Sequence, residues 1–230
     1  MHTVKILYQI LHRRVCTLHK YIFFAVSVSG TADKEAVMKQ RKTNAQTQKW
    51  VMCAILTAIV IVLQLLCTFV RVGPFSITLA LMPMIIGAAL YGPLVGGWLG
   101  FVFGVVVLLV DASAFLAVDV LGTVFTVLAK GFLAGFVAGW VYKALEKLNT
   151  YVAVAVAAVV SPLVNTGIFF LGCQLFFMPT IASWAGQGET AMHFLIYGMI
   201  GFNFITEMIT NAVLCPTVIR LLKIGKKTLK

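Results

Sequence analysis

The sequence predicts an all-α integral membrane protein of six transmembrane helices with both termini cytoplasmic. Three observations carry that expectation. The 230-residue chain is 61% hydrophobic and only 11% charged, with a mean hydropathy of +1.00, whereas soluble domains carry about 25% charged residues. Its basic residues are grouped: all Lys and Arg except Arg71 and Lys130 precede Trp50, sit at Lys143 and Lys147, or lie between Arg220 and Lys230. Basic clusters beside apolar spans mark cytoplasmic loops, so the net charge of +11 reflects topology and not nucleic-acid binding. Finally, the polar residues inside the apolar stretches recur at helical spacing, as Asp119, Thr123, Thr126 and Lys130 do.

The elements follow in order. Residues 1–48 form a basic tail, read as cytoplasmic. Its apolar run at 21–28 is too short to span a bilayer, which takes roughly 20 residues; a signal peptide is the other reading. Met38 begins an alternative, shorter protein. The membrane domain covers 49–222, and 223–230 is a second basic cytoplasmic tail. Span one runs over 50–70, with Gln64 as its polar interior residue. Gly73 and Pro74 then turn the chain. Span two runs over 75–90, with a kink expected at Pro83, and span three over 94–110. Gly96, Gly100 and Gly104 form one four-residue glycine repeat, and Gly131, Gly135 and Gly139 form another in span four (119–145). Such repeats allow close helix packing. Span five covers 151–177, interrupted by Ser161, Pro162, Asn165 and Thr166. A loop at 178–193 precedes span six (194–214). The loops at 91–93 and 143–149 fall on the cytoplasmic side, and those at 71–74, 111–118 and 178–193 outside.

The candidate site is read from polarity and depth. A lysine at membrane depth costs on the order of 3 kcal/mol and normally faces a bundle interior or cavity. Lys130 is such a lysine. Glu207 lies at similar depth in span six, in a stripe with Asn203 and Asn211. The two admit an ion pair; alternatively Lys130 meets a ligand carboxylate or phosphate. Asn165 and Asn203 can add amide hydrogen bonds, or act as interhelical glue worth about 0.6 kcal/mol each. Thr126 and Asp119 share the Lys130 stripe. Trp184 and Phe75 can close a pocket from outside, although interfacial aromatics are common. No HExxH, GxSxG, GxxxxGK[ST] or CxxC pattern is present, so no catalytic residue and no metal site is expected. The scattered Cys16, Cys53, Cys67, Cys173 and Cys215 read as packing residues.

Residues 38–227 resemble the substrate-binding (S) component of energy-coupling factor (ECF) vitamin transporters. The resemblance rests on Ala54 and Ala58 in AILTA, on GPFSI at 73–77, LMPMIIGAALYGP at 81–93, GGWLGFVFG at 96–104 and SPLVNT at 161–166, and on the basic tail. It implies a bacterial-type, multi-pass cell-membrane protein that binds a vitamin. It implies partnership with a transmembrane coupling protein, through Ala54 and Ala58, and with two cytoplasmic ATPases. ATP would be used by those partners, and this chain would bind no cofactor and be no enzyme. Lys130 favours an anionic ligand such as pantothenate, with folate or riboflavin as alternatives. The competing reading from another class is a self-sufficient proton-coupled secondary transporter or channel built on Lys130 and Glu207. It would expect inverted repeats, and the two halves share only their glycine seams.

Overall fold

A computed structural model describes residues 46–69, 71–72, 75–76, 78–186 and 189–228. The tail expected at 1–48, including the run at 21–28, Cys16 and Met38, therefore lies outside the described residues as far as residue 45. Among the described residues, five helices are long and apolar enough to cross a membrane, and a sixth is shorter.

Helix α1 is Gln46–Cys67. Cys53, Leu56, Val60, Gln64 and Cys67 are buried. That three-and-four spacing turns one stripe inward and leaves Ile55, Val62 and Leu66 outward. Gln64 Nε2 donates to Asp111 Oδ2 at 3.2 Å, closing the end of α1 onto the end of α3. A minimal antiparallel bridge follows, β1 (Arg71–Val72) with β2 (Phe75–Ser76).

Helix α2 is Leu81–Tyr91, shorter than the span expected over 75–90. At 1.5 Å per residue its 11 residues rise about 16 Å. Pro83 does not kink it. It is the third helical residue, where a backbone N–H would have no intrahelical partner to lose. Gly92, at φ 103°, makes the turn into α3 (Pro93–Val110). Pro93 is pre-set for the first helical position.

The short α4 (Ser113–Leu116) leads to α5 (Val120–Leu145). The Asp119 side chain caps α5, accepting from Gly122 N at 3.1 Å. The two glycine repeats interlock here. A Cβ on Gly96 would lie 2.5 Å from Gly135 O, and one on Gly104 would lie 2.9 Å from Val127 O. Gly100 and Gly131 oppose each other's carbonyls in the same way. Backbone thus touches backbone along the contact between α3 and α5.

Helix α6 (Thr150–Gly172) is capped by Asn149, whose Oδ1 accepts from Tyr151 N at 2.8 Å. Pro162 lies inside it and leaves the Ala158 carbonyl without its helical donor. Asn211 Nδ2 reaches across from the last helix and donates to Ala158 O at 3.0 Å. A π-helical turn (Cys173–Phe177) continues into α7 (Met178–Ala185), so part of the loop expected at 178–193 is helical. After α8 (Ala191–His193), a π-helical segment (Phe194–Gly201) leads into α9 (Phe202–Thr228). The helix therefore continues through most of the tail expected at 223–230. Gly225 packs against Leu90, and Lys226 pairs with Glu146 at 3.1 Å. The end of α9 thus lies with the α2–α3 and α5–α6 turns.

Candidate functional site

Helices α5, α6 and the π segment leading into α9 converge on a cavity lined by Lys130, Asn165, Thr166, Phe169, Met199, Ile200 and Asn203. Lys130 is ten residues beyond Val120, about 15 Å along α5. Asn165 and Phe169 are one turn apart on α6, as Asn203 and Glu207 are on α9, so each helix presents paired groups to the same place. The cavity volume is about 20 Å³. That admits about one water and no vitamin.

The Lys130 ammonium stands over the Phe169 ring, 5.0 Å from its centroid. Among the described residues no ion pair joins it to Glu207. Its partner is an aromatic face, which attracts a cation without neutralising it. Glu207 is 1% exposed and is held from behind the cavity wall. Asn165 Nδ2 donates to its Oε2 at 3.4 Å and Asn203 Nδ2 to its Oε1 at 3.2 Å. The Oδ1 atoms of Asn165 and Asn203 are buried and unpartnered.

Phe169 also joins the cavity to an aromatic cluster. Phe115 of α4 makes edge contacts with Phe169 (5.7 Å), Phe177 (5.1 Å) and Trp184 (5.5 Å). Around it, Cys173, Phe177, Ile181, Leu195 and Met199 form one buried cluster. Both π-helical segments contribute to it. Such segments are frequent at functional sites because they re-aim side chains within a helix.

Of the residues singled out from sequence, Lys130, Asn165 and Asn203 line the cavity together. Glu207 stands behind them. Thr126 is one turn from Lys130, buried against Gly172 with its hydroxyl unpartnered. Asp119 caps α5 and is not at the cavity. Trp184 sits in the aromatic cluster, two rings away. The side chain of Phe75 lies outside the described residues. Ala54 and Ala58 are exposed on the outer face of α1. Phe169, Thr166, Met199 and Ile200 were not among the site residues expected from sequence, although Thr166 was noted as interrupting span five. The spacing of Asn165 and Phe169 was the available signal for Phe169.

Among the described residues, no group of three or more His, Cys, Asp or Glu could hold a metal ion. Cys53, Cys67 and Cys173 are buried free thiols.

A comparison with curated proteins returned no match. The profile of the family described as ECF transporter, substrate-specific component, matches residues 48–219, most of the chain. The chain belongs to that family. The structure of ThiT from Listeria monocytogenes, solved by native-SAD phasing, has the same fold, with a TM-score of 0.55 and 20% identity over 80% of this chain and 98% of that one. This substrate-specific component is thus an integral membrane protein, the substrate-binding subunit of an ECF transporter and not an enzyme.

Proposed function

We propose that this substrate-specific component captures a small, carboxylate-bearing vitamin between α5, α6 and α9, with Lys130 binding the carboxylate. The observation that carries the reading is Lys130 itself: an ammonium at membrane depth, on a cavity wall, seated on a ring and with no carboxylate in direct contact among the described residues. A ligand carboxylate would supply that charge through a charge-assisted hydrogen bond. Pantothenate is the favoured candidate, as a compact molecule with one carboxylate. Riboflavin has no carboxylate to use Lys130, and folate brings a second carboxylate and a large fused ring. Capture requires the cavity to widen, and the two π-helical segments beside it are the elements suited to shift.

The rest of the transport cycle belongs to partners: a transmembrane coupling protein and two cytoplasmic ATPases that hydrolyse the ATP. The small-residue face of α1 at Ala54 and Ala58 is the docking surface for the coupling protein. Grouping of the basic residues supports a topology with both termini in the cytoplasm. No cofactor is required on this chain.

The test is thermal unfolding of the purified chain in detergent against pantothenate, folate, riboflavin, thiamine, biotin, pyridoxine and queuosine-type bases. A ligand that binds only the folded state raises stability by about 4 kcal/mol at a thousandfold excess over Kd. Pantothenate is expected to give the large shift, and Lys130→Met to abolish it. A shift from thiamine or riboflavin alone would remove the carboxylate reading.

A further inference from the structure

We infer that Glu207 is a positioning residue that sets ligand selectivity from behind the cavity, by fixing which end of two asparagine amides the ligand meets. The inference rests on the capture reading above and extends it to the ligand's hydrogen-bonding groups.

An asparagine amide carries donors at one end and an acceptor at the other. In a neutral setting either end can face a ligand. Here each oxygen of the Glu207 carboxylate accepts one amide N–H, from Asn165 at 3.4 Å and from Asn203 at 3.2 Å. A carboxylate only accepts, so both nitrogens turn toward Glu207 and both carbonyl oxygens turn away from it. The two oxygens are buried without a partner, on residues that line the cavity beside Lys130. A buried acceptor with no donor is costly, and a ligand donor is what would relieve it. Once the cavity widens around a ligand, that polar wall would offer one cation and two acceptors. It selects a molecule whose carboxylate is accompanied by hydroxyl or N–H donors, and disfavours an anion without them. Glu207 itself touches no ligand. It is 1% exposed and reaches the cavity wall through the two amides.

Three probes separate this inference from the capture reading: pantothenate, panthenol and octanoate. Panthenol keeps the donors and lacks the carboxylate. Octanoate keeps a carboxylate on a chain of comparable length and has no donor. Affinities are measured for the full chain in detergent. The wild type should prefer pantothenate to octanoate by at least about tenfold, since sites built to pair a ligand N–H or O–H reject analogues lacking it. Glu207→Gln places an amide where only an acceptor stood. One asparagine then turns to offer its own oxygen inward and its nitrogen to the ligand. Pantothenate and panthenol should each weaken by about tenfold, one hydrogen bond's worth, while octanoate is unchanged. A general loss of packing would weaken all three and overturns the inference. So does a selectivity ratio unchanged by Glu207→Gln. If the variant does not fold, the wild-type ratio still decides: equal affinity for pantothenate and octanoate overturns the inference. Panthenol binding as tightly as pantothenate would instead defeat the Lys130–carboxylate reading, leaving the effect of Glu207→Gln to judge the amide orientation. No binding by any of the three defeats both.

Discussion

Lys130 and Glu207 lie at similar depth, yet among the described residues they make no direct ion pair. The ammonium rests on Phe169, and the carboxylate accepts from two asparagines. A direct pair would have consumed the charge that a ligand can use. Another residue-scale solution lies one turn further along α9. Asn211 supplies the donor that Pro162 denies to the Ala158 carbonyl. Asn211→Leu would strand that carbonyl at a buried helix contact, which costs about 1–3 kcal/mol. The expected outcome is a lower melting temperature with vitamin affinity within about twofold of wild type. An unchanged melting temperature would mean that the carbonyl finds another donor.

At the scale of elements, the crossing of α3 and α5 fixes where Lys130 stands. Gly100 faces Gly131 and Gly96 faces Gly135 with no space for a Cβ. Gly100→Leu should therefore part the helices at a cost of at least about 3 kcal/mol, at or above the usual overpacking penalty. Expression and thermal unfolding of the variant would check this, and a variant of wild-type stability would contradict it. Helix α1 presents the opposite case. Ala54 and Ala58 are exposed, so a bulky residue there strains nothing within the chain. Ala54→Trp should leave vitamin affinity unchanged and abolish co-purification with the coupling protein. Lost affinity with assembly intact would assign this face to the site instead.

Across the whole molecule, the parts legible in the sequence are those where a polar or small residue interrupts an apolar run. The glycine repeats at 96–104 and 131–139 do meet, and Lys130, Asn165 and Asn203 do share a cavity. Each is conspicuous because the bilayer makes it costly or the packing makes it small. The apolar half of the site was not legible. In a soluble helix the hydrophobic stripe marks the core, but in a membrane the lipid-facing side is equally apolar. Nothing in composition separates Phe169, at the cavity, from Phe125, which is 70% exposed. The π-helical segments, the helix at 178–185 and the shortness of α2 were hidden for a related reason. They depend on where backbone hydrogen bonds shift register, and side-chain hydropathy does not report that.

The measurement that bears most directly on the capture reading is a structure of this chain with the vitamin that gives the largest stability shift. Its ligand carboxylate should lie about 2.7–2.9 Å from Lys130 Nζ, between Asn165 and Asn203 and against Phe169. A ligand bound away from α5, α6 and α9, or one that turns an uncharged face to Lys130, would contradict the account.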